Sequence, residues 1–240
     1  MDLTINGKIK FTEVPEKIPS GYDCIDNLMQ GGIEPGIITE FYGMGGAGKT
    51  NLSMIFSYSM VKSGRQVIYI DTEGFSVERF KQICGDDFNY NDINIYRVKS
   101  LDDQHLAVIK AEKLIAEKRD SRKSIGLMVV DSFTNFFRME TGTDANARME
   151  GYERQLNILS GIAIKYEIPV LITNQIYADV ENHKIEPFGG YFIDHAMKAI
   201  YYIEKMDNGN RRITVIKHRS IQENLFSEFK ITKNGISCQV

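Results

Sequence analysis

Eight consecutive residues, Gly43-Met44-Gly45-Gly46-Ala47-Gly48-Lys49-Thr50, fit the pattern GxxxxGK[ST] at every fixed position. The chemistry that needs such a run is the binding of a nucleotide polyphosphate. Backbone N–H groups must wrap around phosphate oxygens, which calls for glycine where the backbone turns to positive φ and where a Cβ would stand in the way. The N-terminus of a following helix points at the same phosphates. Gly43, Gly45, Gly46, Ala47 and Gly48 form the cradle, with Asn51 just beyond it. Lys49 brings a point charge to the β- and γ-phosphates, and Thr50 offers its hydroxyl oxygen to Mg²⁺. The expected ligand is ATP with Mg²⁺.

Carboxylates at strand ends would complete such a site. Leu127-Met128-Val129-Val130-Asp131 is an apolar strand closed by an acid. Asp131 would hold Mg²⁺ through its water shell, because Mg²⁺ keeps its waters. Val67-Ile68-Tyr69-Ile70-Asp71-Thr72-Glu73-Gly74 places Glu73 just beyond another strand. Hydrolysis needs a group that orients and partly deprotonates the attacking water, and Glu73 is the candidate. The same position serves equally for capping the next helix, with Asp71. Thr173-Asn174-Gln175 ends a further strand. An amide at the C-terminal edge of an open sheet lies near the ligand crevice, so Gln175 could sense the γ-phosphate and pass its state to residues 176–190. The alternative is a polar strand end with no role.

These residues need elements to position them. Ile37–Tyr42, Val67–Ile70, Ile93–Val98, Ile125–Val130 and Pro169–Thr173 read as short buried strands. Between them, Thr50–Lys62, Ser76–Ile83, Leu101–Lys118 and Ala147–Tyr166 have helical spacing. Strands alternating with helices predict a mostly parallel twisted sheet with helices on both faces. The pattern then changes. Ala199–Met206 and Arg211–His218 flank Asp207-Asn208-Gly209-Asn210, and Leu225–Thr232 and Ile236–Val240 flank Lys233-Asn234-Gly235. Both are hairpin signals, so antiparallel strands are expected at the C-terminal end. Residues 1–20 read as an arm and residues 21–240 as one α/β core.

Composition narrows the classes. The 240 residues carry 29 Lys+Arg and 32 Asp+Glu, a net charge of −3. Binding nucleic acid by bulk positive charge is therefore disfavoured, although a local basic face is not. Lys198 to Arg219 holds six basic residues against two acidic ones, and Asp71 to Asp103 holds eight acidic against four basic. Cys24, Cys84 and Cys238 are far apart and odd in number, with no CxxC. Neither a disulfide framework nor a zinc site is expected, and a reducing cytoplasm is the simple reading. The polar N-terminus is no signal peptide, and no apolar run is long enough to span a membrane.

Together the phosphate loop, Tyr69-Ile70-Asp71-Thr72-Glu73-Gly74, Glu78-Arg79-Phe80, Val130-Asp131-Ser132, Ile172-Thr173-Asn174-Gln175 and Phe188-Gly189-Gly190 resemble the RecA/RadA recombinase ATPases in type and order. The resemblance implies a RecA-like P-loop NTPase core, ATP and DNA binding, and a part in recombinational repair with feeble ATPase and no strand exchange. By position it makes Glu73 the water-activating carboxylate, Arg79 the residue stacking on adenine and Gln175 the γ-phosphate sensor. Phe137 to Arg148 matches the first DNA-binding loop and residues 176–190 the second, so Arg138, Arg148, His183 and Lys184 are the candidate DNA contacts. Phosphate contacts of this kind make binding steeply salt-dependent.

Lys217-His218-Arg219 matches a Lys-x-Arg that reaches across a subunit interface to a neighbour's ATP; an ordinary basic strand end is the alternative. A RadA-type recombinase, a Holliday-junction resolvase, single-stranded or branched DNA and further copies of the chain are the implied partners. The family's helix-hairpin-helix domain has no counterpart in residues 1–20, and its Phe-x-x-Ala tether has only an echo in Phe11-Thr12-Glu13-Val14. A regulatory ATPase that switches protein partners without touching DNA is the rival reading.

Overall fold

The apolar runs become strands, and their alternate residues face two different helix layers. The protein is seen in a computed structural model that describes residues 4–5, 8–9, 15–85, 88–139, 144–179, 184–187 and 197–239. Two short strands, β1 (Thr4–Ile5) and β2 (Lys8–Ile9), pair antiparallel ahead of helix α1 (Asp23–Leu28). The main sheet contains β3 (Ile38–Gly43), β4 (Gln66–Asp71), β5 (Ile93–Arg97), β6 (Ile125–Asp131), β7 (Val170–Asp179), β8 (Lys184–Pro187), β9 (Ala199–Lys205), β10 (Arg211–His218), β11 (Phe226–Thr232) and β12 (Gly235–Ser237). Their order is β12-β11-β10-β9-β3-β7-β6-β4-β5, with β8 paired to β7. From β9 to β5 every neighbour is parallel; β10, β11 and β12 continue the sheet antiparallel.

The remaining helices are α2 (Lys49–Lys62), α3 (Val77–Cys84), α4 (Leu101–Lys118), α5 (Asn135–Met139) and α6 (Ala145–Tyr166). Their starts follow their sequences. Ser76 accepts a hydrogen bond from the Arg79 N–H at the head of α3, and Ser100 accepts one from the Asp103 N–H at the head of α4. Each satisfies one of the donors a helix start leaves open. Among the described residues no helix is long and apolar enough to cross a membrane.

Period-two alternation divides the core. Val67 and Tyr69 of β4 and Leu127 and Val129 of β6 pack with Leu52, Ile55 and Phe56 of α2. Ile68 and Ile70, with Met128 and Val130, pack on the other face with Val108 of α4 and Leu156 and Leu159 of α6. A strand buried on both faces has no polar side to show, which is why these runs are continuously apolar. Phe133 and Phe137 lie in the second layer and Phe136 packs against it, so these aromatics are core.

Three sequence readings need correction. The strand expected over Pro169–Thr173 continues to Asp179, and its outer part pairs antiparallel with β8 within the 176–190 segment. The polar Asn-Gln pair suggested an end, but cross-strand pairing, a non-local event, keeps the backbone extended. The last strand is Gly235–Ser237, not Ile236–Val240, because the turn closes on Lys233-Asn234 with Thr232 opposite Gly235. Finally, Cys24 and Cys238 form a disulfide across a sequence separation of 214, and only Cys84 among the three is free.

Phe41 is fully buried on β3 between the rings of Phe56 and Tyr201. Truncating it empties the layer under the phosphate loop, so Phe41→Ala is expected to cost about 3–5 kcal/mol of stability in urea denaturation.

Candidate functional site

β3, β7, β6 and β4 are parallel neighbours, so their C-terminal ends form one edge. The phosphate loop follows β3 there. α2 begins at Lys49 with Gly48 as its cap residue at φ +113, and no side chain caps it. Its first turn also carries no acid, so its amide N–H groups remain available to an anion. Gly43 must be glycine for a second reason: a Cβ there would stand 2.0 Å from the carbonyl oxygen of Ile203 on β9. The loop can therefore leave β3 close beside its neighbour strand. Lys49 is buried and donates to the carbonyls of Gly43 at 2.8 Å and Met44 at 2.9 Å. These are contacts an ammonium exchanges readily for phosphate oxygens. Burial holds its pKa below the ordinary lysine value, while the charges of Glu73 and Asp131 pull the other way.

Asp131 ends β6 with both oxygens engaged. Tyr69 donates its hydroxyl to Oδ2 at 2.6 Å, and Thr173 donates to Oδ1. Two neighbouring strands thus fix the carboxylate. Sequence reasoning assigned neither Tyr69 nor Thr173 a role, although both stand inside the motifs it singled out. Burial, then Asp131, push the Tyr69 phenol well above its ordinary value, so it stays a donor.

Asp71 and Glu73 separate in the structure. Asp71 accepts from the N–H groups of Gly74 and Phe75, both at 2.7 Å, and so shapes the turn after β4. Ser76 caps α3, and Glu73 turns away from it. Glu73 Oε1 accepts from Gln175 Nε2 at 2.5 Å. Burial and the nearby Asp131 raise its pKa; Gln175, Lys49 and Arg138 counter them. The residue is exposed, and its carboxyl feels Asp131, which raises its pKa, and Lys49, which lowers it.

Gln175 also accepts at Oε1 from Arg138 Nη1. One chain of side chains therefore runs from Glu73 through Gln175 to Arg138, at the end of α5 just ahead of residues 140–143. Beneath it lies a buried network that sequence reasoning missed. Thr134 donates to Asn174 Oδ1 at 2.6 Å, and Asn174 donates to Glu40 Oε1 at 2.8 Å. Its signal was available: Glu40 is the one charged residue in the apolar run Ile37–Tyr42. Arg148 lies in the first turns of α6, half-buried, and Lys184 begins β8. His183 and Phe11-Thr12-Glu13-Val14 lie outside the described residues.

Arg79 lies beside the loop. Its Nε donates to Asn51 Oδ1 at 2.7 Å, its Nη1 to the carbonyl of Lys233 at 2.7 Å and its Nη2 to that of Gly235 at 3.1 Å. The guanidinium is thus held by the first turn of α2 and by the β11–β12 turn. Thr50 sits next to Asn51 in the same helix turn.

Lys217 and Arg219 lie elsewhere. His218 pairs with Ala199, and Ala199 with Thr39 near the start of β3, whereas Tyr202 and Tyr42 pair next to the phosphate loop. The basic pair is thus on the opposite edge of the sheet from the loop of its own chain. Arg219 binds Glu34 there, with Nη2 at 2.5 Å and Nε at 2.6 Å from Oε2. Lys17 is 3.3 Å from Oε1 of the same carboxylate. Burial would raise the Glu34 carboxyl, but Arg219 and Lys17 outweigh it and hold it below the ordinary value.

The described geometry joins an open phosphate cradle, a fixed acid, an elevated carboxyl and an amide that touches it. A sequence model of the Rad51 family matches residues 14–239. The chain is 50% identical over 232 residues to the DNA repair and recombination protein RadB of Thermoplasma acidophilum, covering 97% of this chain and 99% of the relative. It is 49% identical over 233 residues to the RadB of Thermoplasma volcanium, covering 97% of each. With that of Methanococcoides burtonii the identity is 36% over 227 residues, covering 93% of this chain and 98% of the relative. The chain belongs to the Rad51 family, in its archaeal RadB branch.

Proposed function

We propose that this chain binds ATP with Mg²⁺ at the edge formed by β3, β4, β6 and β7, binds DNA at the neighbouring loops, and serves recombinational DNA repair as an accessory with slow ATP turnover and no strand exchange of its own. The observation that carries the reading is the Glu73–Gln175–Arg138 chain, which ties a nucleotide site to a candidate DNA contact. Residues 21–240 act as the ATPase core and residues 1–20 as an arm.

The residues fit the nucleotide. The uncapped start of α2 and the glycines of the loop suit phosphate oxygens, and Lys49 suits the β- and γ-phosphates. Thr50 and Asp131 would hold Mg²⁺, which supplies charge neutralisation across the phosphates when bound. Tyr69 and Thr173 keep Asp131 in one orientation for that task. Glu73 orients and partly deprotonates the attacking water. Burial and the charge of Asp131 raise its pKa, which makes it a better base than an ordinary carboxylate. Gln175 holds Glu73 and senses the terminal phosphate.

Slow turnover in the isolated chain follows from the place of Lys217 and Arg219. On the far edge of the sheet they cannot serve their own nucleotide, so an arginine finger would have to come from another copy. In this chain Arg219 is paired with Glu34. A RadA-type recombinase and a Holliday-junction resolvase are the protein partners proposed, with single-stranded or branched DNA as the nucleic acid.

In nucleotide-binding titrations Lys49→Ala is expected to lose ATP affinity by at least tenfold, since it removes a charged phosphate contact. Glu73→Gln is expected to keep ATP affinity and lose turnover by about 10²–10⁴-fold. The acid limb of the wild-type rate should sit above the ordinary glutamate range and vanish in that variant; unchanged turnover would remove Glu73 from catalysis. For DNA, Arg138→Ala and Arg148→Ala are each expected to weaken single-stranded oligonucleotide binding and flatten its salt dependence by roughly one unit of slope. No DNA binding by the wild type at about 50 mM salt would favour the partner-switching reading.

The Glu34 carboxyl, depressed in the folded state, contributes stability above the unfolded-state pKa, and this is lost as the pH falls through the folded value. Arg219→Ala should therefore shrink the acid-dependent part of stability, and lower stability at pH 7 by about 1–3 kcal/mol. Urea denaturation across pH reads both.

A further inference from the structure

The Cys24–Cys238 disulfide sits at one end of a short path that leads to the nucleotide site. Cys24 is in the first turn of α1, and Cys238 directly follows β12. The β11–β12 turn between them and the loop is gripped from two sides. On the α1 side, the Tyr22 hydroxyl donates to the Asn234 carbonyl at 3.3 Å. Gly235, at φ +120, leaves no room there for a side chain: a Cβ would stand 2.2 Å from the Tyr22 oxygen. On the loop side, Arg79 donates to the carbonyls of Lys233 and Gly235 while its Nε holds Asn51 of α2. Phe229 and Ile231 of β11 lie against Gly48, where a Cβ would be 3.2 Å from Ile231 Cδ1.

β12 is three residues long and is the last strand at its edge of the sheet. Strands this short hold little by ladder bonds alone. The covalent bond at Cys238, with Tyr22 and Arg79, adds to the packing of buried Ile236 in fixing the turn. Arg79 in turn depends on the turn for two of its acceptors. This inference rests on the nucleotide reading above and on the place the family resemblance gives Arg79, stacked on the adenine ring.

We infer that the Cys24–Cys238 disulfide is a positioning element for the adenine side of the nucleotide site, and that its reduction weakens the grip on the base while leaving the phosphate grip intact. The step is a thiol–disulfide exchange. A dithiol gives two electrons and two protons; the Cys24–Cys238 S–S bond breaks, leaving a thiol on each residue, and the dithiol closes to its own disulfide. The third cysteine does not interfere: Cys84 is buried, and burial pushes its thiol up to about 12, so it supplies no thiolate for exchange.

The test is calorimetric binding of Mg-ATP and of inorganic tripolyphosphate to the air-oxidised protein, to the dithiothreitol-reduced protein and to Cys238→Ser, with thiols counted after denaturation. Circular dichroism of each form verifies that it is folded. The oxidised protein should show one thiol and the reduced protein three, from the three cysteines present. ATP affinity should fall about 3–10-fold on reduction, and in Cys238→Ser, while tripolyphosphate affinity stays constant. In Arg79→Ala, ATP affinity should no longer respond to reduction. Equal ATP affinity in both redox states, an equal loss for tripolyphosphate, or three thiols in the oxidised protein would each overturn the inference alone. Absence of ATP binding to the oxidised protein would overturn the nucleotide reading as well.

Discussion

One buried ammonium in the field of two carboxylates sets the terms for the rest of the site. Lys49 has lost most of its water, and an unpaired charge there would be costly. Glu73 and Asp131 supply the opposite charge, while burial and the charge of Asp131 raise the Glu73 pKa. Such a balance needs the three groups held near one another. The parallel order β3-β7-β6-β4 does this by bringing strand ends side by side, and the hydroxyls of Tyr69 and Thr173 complete it. The phosphate loop accepts this arrangement because its own donors are uncapped.

The sheet then divides the labour. Its parallel part builds the chemical edge. The antiparallel strands β10, β11 and β12 wall one side of the loop, through Phe229 and Ile231 against Gly48 and through the turn that holds Arg79. The opposite edge carries the Glu34–Arg219 pair, remote from the loop of the same chain. Under the proposed reading, a cationic group for the nucleotide would come from another copy. The path from Gln175 to Arg138 lies between these parts, where the nucleotide edge meets the segments proposed to meet DNA.

Much of this was legible in the sequence because it is local. The phosphate loop and the acid closing Leu127–Val130 are both specified within a few residues. Buried strands announce themselves as continuous apolar runs, and both C-terminal hairpins as glycine-bearing turns. The limits were equally physical. Cys24 and Cys238 lie 214 residues apart, and nothing in their spacing says they meet. Glu34 and Arg219 are brought together only by the order of β3, β9 and β10. The extension of β7 to Asp179 depends on its pairing with β8. Which of Asp71 and Glu73 binds the backbone after β4 turned on where two similar side chains point, which is a matter of rotamer and neighbour rather than pattern. Asp71 takes the backbone donors and Glu73 takes Gln175.

The central claim is that nucleotide and DNA share one network through Gln175. By linkage, a ligand at either end must alter the affinity at the other by the same factor. The direct measurement is the affinity for a single-stranded oligonucleotide with and without saturating Mg-ATP, in the wild type and in Gln175→Ala. The account predicts a change of about 5–150-fold on adding ATP in the wild type, and none in the variant, with both proteins still binding ATP. An identical response to ATP in the two proteins would contradict it.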